Sequence, residues 1–186
     1  EATQEGWGIS TSKLNEVVDF PVKDLTITVQ TGISMKSLNE VLVREGLMLP
    51  LDVPQQSTAT LGGVIATNTN GPRRFGYGTV RDYVIGIEAV NGNGQVFHGG
   101  GRVVKNVAGY DFCKLLTGSL GTLGVITQAT VKLKPIPEDS VTVIVPVGNP
   151  DIAESCVAML LESPTVPAAI ELLYGCLLYT SDAADE

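Results

Sequence analysis

Two glycine-rich segments limit what this chain can fold into. Ala59-Thr60-Leu61-Gly62-Gly63-Val64-Ile65-Ala66-Thr67-Asn68 is answered far downstream by Gly118-Ser119-Leu120-Gly121-Thr122-Leu123-Gly124-Val125-Ile126-Thr127. Each gathers small residues and hydroxyls where a backbone must come close to something else. Glycine permits that approach because it has no Cβ, and rows of backbone N–H groups suit phosphate oxygens. One such cluster is an ordinary turn. Two of them, set in apolar β-rich sequence and separated by a stretch holding Arg73-Arg74, Tyr77-Gly78 and Arg81, describe a long ligand lying across both, with phosphate in its middle.

The bulk composition narrows the class. Hydrophobic residues make up 44% and charged residues 17% of the chain, which suits a packed core and excludes global disorder. A net charge of -8 argues against general nucleic-acid binding, which needs clustered Lys and Arg. No apolar run is long enough to span a bilayer, and no signal peptide opens the chain. Three cysteines are too few for a disulfide scaffold, so a reduced, cytoplasmic setting is expected. The chain has room for one full domain and the start of another.

Both ends read as cut. Glu1 to Gly8 has the look of mid-chain sequence. Residues Cys176 to Glu186 break from the aliphatic character before them and resemble a translated sequencing adapter, so the tail 176–186 is expected to be non-native.

Local patterns give the expected elements. Strands are expected over Leu14–Phe20 and Leu25–Gln30, with Pro21–Asp24 turning between them. Ser34 is the N-cap of a helix carrying Met35, Leu38, Val41 and Leu42 on one face and closed by Gly46. Leu47–Leu51 is extended, and a short helix runs near Gly63–Asn68. Tyr83–Val90 and Gln95–His98 form a hairpin about Asn91-Gly92-Asn93-Gly94, whose centre suits positive φ. A helix over Tyr110–Leu116, capped by Gly118, precedes a strand over Gly124–Leu133 with Lys132 and Lys134 outward. Pro135-Ile136-Pro137 marks a boundary. Beyond it a strand over Val141–Val147, a helix capped by Asn149 with Pro150 at its first position, and a strand over Ala168–Leu173 are expected. Ile152, Cys156, Met159 and Leu160 are its expected buried stripe.

Several nucleotide architectures fail on spacing. The dinucleotide motif Gly-x-Gly-x-x-Gly meets Phe97 after Gly92-Asn93-Gly94 and Val104 after Gly99-Gly100-Gly101. The P-loop needs a Gly-Lys pair, which is absent. His98 is the only histidine, so a histidine-rich metal site is excluded, and it reads as a strand-end residue. Arg73 and Arg74 divide evenly between a solvated pair and a cofactor clamp. Lys105 and Asp111 are expected to form an ion pair that orients a loop. Cys113 and Cys156 are expected as small core residues, and Tyr110 as buried with its hydroxyl bonded.

The ordered set Ala59–Gly63 to Asn68, Gly71, Tyr77-Gly78 and Gly121–Ile126 resembles the p-cresol-methylhydroxylase or vanillyl-alcohol-oxidase type of FAD-binding domain, over roughly Leu14 to Pro135. The resemblance implies an α+β, two-subdomain fold at residues 1–137, N-terminally truncated and lacking its first phosphate loop. The start of an α+β cap domain follows at 138–175. Within that superfamily, Val103-Val104-Lys105-Asn106-Val107-Ala108-Gly109-Tyr110-Asp111 is similar to the FAD-binding E subunit of bacterial glycolate oxidase. Leu120 stands where the catalytic D subunit and D-lactate dehydrogenases usually carry an acidic residue.

The roles implied are these. Pro54, Ser57, Thr58, Ala59 and Thr60, with Gly62 and Gly63, line the pyrophosphate and ribityl path. Thr67 and Asn68 lie toward the flavin, Tyr77-Gly78 shapes the isoalloxazine wall, and Gly71 belongs to the cofactor-binding set. Gly121, Thr122, Gly124, Val125 and Ile126 close over the adenosine, with the main chain of the last two reading the adenine edge. FAD is the implied cofactor, and a small 2-hydroxy acid such as glycolate the implied substrate. Flavoprotein and iron–sulfur subunits are the implied partners, which would place the chain in the cytoplasm or peripherally at the inner membrane. A D-lactate dehydrogenase of the same fold and a non-catalytic scaffold subunit remain as alternatives. No catalytic base is assigned.

Overall fold

A computed structural model describes residues 8–101 and 110–173. Its centre is a five-stranded, wholly antiparallel sheet with strand order β1-β2-β6-β4-β5. The strands are β1 (Val17–Asp19), β2 (Thr26–Gln30), β4 (Val84–Val90), β5 (Val96–Gly100) and β6 (Val125–Lys132). A two-stranded ribbon pairs β3 (Leu47–Met48) with β7 (Lys134–Pro135).

Helices cover one face. α1 (Met35–Val43) forms where expected, with Ser34 Oγ accepting from the Ser37 amide at 3.1 Å and Gly46 in the left-handed region after its end. It buries Met35, Leu38 and Leu42. α2 (Leu61–Thr67) starts two residues before the expected position, because Thr60 supplies the cap. Two short helical turns, α3 (Arg74–Tyr77) and α4 (Val80–Tyr83), were not legible in the hydrophobic periodicity, being only four residues each. α5 is Phe112–Leu116 and α6 is Pro150–Glu162. The core joins Ile27 and Val29 of β2 to Leu38, Leu42, Leu61, Ile65, Leu116, Ala129 and Val131. Burial of such aliphatic side chains, at about 1.5–3 kcal/mol each, is the main stabilising contribution.

The opposite face of the sheet is polar. Gln30, Gln128, Glu88 and His98 fall in one cross-strand row, and Thr28 Oγ1 meets Thr130 Oγ1 at 2.9 Å in the next. Gly86 sits opposite Thr130 because a Cβ there would lie 3.1 Å from that residue's Cβ.

Some expectations need correcting. The first strand is only Val17–Asp19: the Leu14 and Glu16 carbonyls still accept from the Gly32 and Gln30 amides, but the Leu14 amide turns back to the Thr11 carbonyl at 2.9 Å and the Glu16 amide bonds the Gln30 side chain at 3.1 Å, so the ladder is not closed there. The Asn91–Gln95 turn uses a single positive φ, at Gly94, because the Asn91 side chain accepts from the Asn93 and Gln95 amides and holds the loop open. Neither Val141–Val147 nor Ala168–Leu173 forms a strand: both lack a ladder partner among the described residues, and Val141, Val143 and Ile144 are largely exposed. α6 keeps the Asn149 cap and Pro150 start, but Ile152, Met159 and Leu160 are exposed and Cys156 only partly covered. No element among the described residues covers that stripe. Tyr110 is exposed rather than buried. Asp111 caps α5 and pairs with Lys114 at 3.0 Å, while Lys105 lies outside the described residues, as do most of the Val103–Asp111 motif and the 176–186 tail.

Candidate cofactor site

The two glycine segments meet. Like any α-helix, α2 leaves its last carbonyls without intrahelical partners, and the downstream loop bonds two of them. The Gly118 amide donates to the Ile65 carbonyl at 3.0 Å and the Leu120 amide to the Ala66 carbonyl at 2.8 Å. Asn68, at φ 52, turns the chain off the helix, and its own amide also bonds Ile65. The loop places three of its residues in the left-handed region for this. Gly118, Leu120 and Gly121 have φ of 83°, 54° and 74°. Glycine takes such angles freely, whereas leucine does so at a cost of about 1–2 kcal/mol.

The glycines divide into two kinds. Gly62 is a packing residue: its Cβ would lie 3.0 Å from the Thr31 Cβ and Oγ1, and its amide donates to the Thr31 carbonyl at 2.8 Å. Gly124 is similar, with the Val90 carbonyl 2.7 Å from its would-be Cβ, and Gly71 presses on Asp52. Gly121 is open, with no described residue within 4 Å of its would-be Cβ. The Gly63 amide is held by Thr60 Oγ1 at 3.2 Å. Amides of Gly62 and Gly63 are therefore already bonded inside the fold.

The other expected residues sort by exposure. Pro54, Ser57, Thr58, Thr67, Asn68, Gly121 and Thr122 are exposed, Ala59, Thr60, Tyr77, Gly78 and Val125 are half-buried, and Ile126 is buried. Ile126 and Val125 pair with Ala89 and Val90 of β4, and the Ile126 carbonyl accepts the Thr31 hydroxyl at 2.5 Å. Their main chain thus belongs to the sheet. Tyr77 accepts at its carbonyl from the Tyr83 hydroxyl at 2.7 Å, and Lys134 Nζ lies 5.9 Å from the centre of its ring. Gly78, at φ 89, leaves room for the Asp82 carboxylate, which accepts from the Thr79 amide at 2.8 Å and hydroxyl at 2.9 Å. These bonds hold the Asp82 carboxyl below its ordinary pKa.

Three features escaped the sequence reading. Ser119 Oγ is shielded and has no hydrogen-bond partner among the described residues. An open cleft of about 380 Å³ is lined by Asp52, Val53, Pro54, Gln56, Asn70, Gly71 and Pro72. Asp52 closes on Arg73, so Arg73 is ion-paired rather than one of a solvated arginine pair, while Arg74 is exposed. The signal was an acid and a base just outside Pro54 and Gly71. Cys113 is the buried residue expected, its thiol pushed up to about 11 by burial. His98 stands exposed in β5, 3.6 Å from Glu88.

An FAD molecule needs a path for phosphates and a wall for flat apolar rings. The open side of Gly121, the unpartnered Ser119 hydroxyl and the exposed Leu120 and Leu123 fit that description. The comparisons agree. A model of the FAD binding domain family matches residues 1–100, and the chain belongs to that family, whose cofactor is FAD. Among curated relatives, glycolate oxidase subunit GlcD of Bacillus subtilis is 37% identical over 171 residues, covering 92% of this chain and 36% of the relative. D-lactate dehydrogenase of Archaeoglobus fulgidus is also 37% identical over 171 residues, covering 92% of this chain and 38% of its own. Glycolate oxidase subunit GlcE of Escherichia coli is 39% identical over 127 residues, covering 68% and 36%. This chain thus spans little more than a third of the length of these relatives. In structure it is similar to alkyldihydroxyacetonephosphate synthase, at TM-score 0.60 and 28% identity over 70% of this chain and 23% of the other. No helix among the described residues is long and apolar enough to cross a membrane.

Proposed function

We propose that this chain is the FAD-binding part of a flavin-dependent 2-hydroxy-acid oxidoreductase, with glycolate as substrate and glyoxylate as product. The observation that carries the reading is the backbone junction of the two glycine segments, Leu120 to Ala66 and Gly118 to Ile65, which makes one continuous wall. When bound, FAD supplies the hydride acceptor at its N5 position.

The chain's own residues bind and shape. Pro54, Ser57, Thr58 and Thr60 line the phosphate and ribityl path, with Gly63, Thr67 and Asn68 continuing it. Gly121, Thr122 and Ser119 face the adenosine half. Gly71, Tyr77 and Gly78 form the isoalloxazine wall. Gly62, Gly124, Val125 and Ile126 serve by packing, since their close approaches set where the wall stands. The FAD-binding unit ends near residue 137, and substrate selectivity resides in a cap domain that begins near 138.

Leu120 favours the E-subunit type over the D-subunit and D-lactate dehydrogenase types. Its exposed apolar side chain puts no carboxylate beside the phosphate path. Partner flavoprotein and iron–sulfur subunits belong to this reading, as does a cytoplasmic location.

Flavin released on denaturing the purified full-length protein, counted per chain, tests it. One FAD per chain, bleached by glycolate, supports the enzyme. A folded protein with no flavin would leave a scaffold subunit instead.

A further inference from the structure

Asp52 ends the apolar run through Leu49 and Leu51, just before the exposed Pro54–Thr58 stretch. Arg73 stands just before α3, on the far side of the cleft. One carboxylate takes two bonds from one residue: the Arg73 amide donates to Asp52 Oδ2 at 2.8 Å, and Arg73 Nε donates to Oδ1 at 2.5 Å. Between them Gly71 has no room for a side chain, because a Cβ would lie 2.3 Å from the Asp52 Cβ. The two walls cannot separate without breaking a charge-assisted pair, and they cannot close without a collision at Gly71.

We infer that Asp52 and Arg73 are positioning residues for the cofactor, a clip that fixes the spacing between the Pro54–Thr60 wall and the Gly71–Gly78 wall. The inference rests on the FAD reading above. The pair lies at the rim, with the Arg73 side chain 37% and the Asp52 side chain 28% exposed, so it adds little to the core and its attraction is screened by salt. What it supplies is preorganisation: a cleft already held at its bound width loses less freedom when the ligand enters.

The test compares wild type, D52N, R73Q and the double variant as full-length flavin-loaded proteins, following FAD dissociation by flavin fluorescence beside thermal unfolding of the apoproteins. Each single variant is expected to release FAD about tenfold faster, with apoprotein unfolding nearly unchanged. The double variant is expected to be no worse than either. Wild-type release should quicken at high salt, while the variants show no such dependence. R73K, which keeps the charge and the amide bond, should fall between, and it serves if D52N fails to fold. Unchanged FAD release in the singles, additive losses in the double, or loss that merely tracks unfolding would overturn the clip. A wild-type protein that holds no FAD would sink the functional reading, and the clip with it.

Discussion

The Leu120 amide donates to the Ala66 carbonyl at 2.8 Å, joining the last turn of α2 to a loop more than fifty residues downstream. Leu120 takes φ 54 to make that bond. L120G keeps the bond and removes the strain, so it should be neutral or stabilising by up to about 1 kcal/mol after the entropy of the added glycine. L120P can neither reach that φ nor donate, and should cost about 3 kcal/mol or more. Urea unfolding of the two variants reads both, and equal stabilities would contradict this account of the loop.

Gly62 and Gly121 should behave differently when given a methyl group. G62A drives a Cβ into Thr31, and overpacking of this kind costs about 1–3 kcal/mol in the apoprotein. G121A meets no atom of the described residues, so its expected stability cost is the positive φ alone, about 1 kcal/mol. Its methyl group points into the proposed ligand path, so FAD affinity should fall more than stability does. Apoprotein melting and flavin titration on both variants separate the two roles.

Gly76 ties the end of the described chain to α3. Its amide donates to the Ala168 carbonyl at 3.0 Å, and a Cβ would lie 2.8 Å from the Ala168 Cα. G76A should lift the 164–170 segment away. Cleavage at Glu162 or Glu171 by a Glu-specific protease should then speed up, while the sheet resists as before. Unchanged cleavage would show that the contact does not hold that segment.

Asp82 gives a pH signature. Its folded-state pKa is depressed, chiefly by the Thr79 amide, so its contribution is present above the unfolded value of about 3.9 and is lost as pH falls through the lower folded value. D82N should therefore destabilise near neutral pH, by about 1 kcal/mol as for a lost helix cap. Wild type and variant should converge in acid. A difference that persists at low pH would point to packing instead of charge.

The fold was legible wherever neighbours along the chain decide the outcome. The Ser34 cap, the Met35–Leu42 stripe and the buried β4 and β6 strands need only local pattern. The failures cluster after Pro137. Val141–Val147 has strand composition, and α6 has an apolar stripe, but a strand exists only by pairing and a stripe is buried only by a partner. Neither partner lies among the described residues.

At the site the division is similar. That two glycine segments matter follows from sequence alone, because clustered glycine beside hydroxyls is costly unless the backbone is needed. Which glycine packs and which stands open was decided by the tertiary structure, which put Thr31 behind Gly62 and no described residue beside Gly121. The same holds for Asp52 and Arg73: their charges are written in the chain, but their pairing depends on a cleft wall assembled from two distant turns. Composition and local spacing determined the family of elements. Long-range contacts, each requiring a loop to close before it can form, determined which residues face one another.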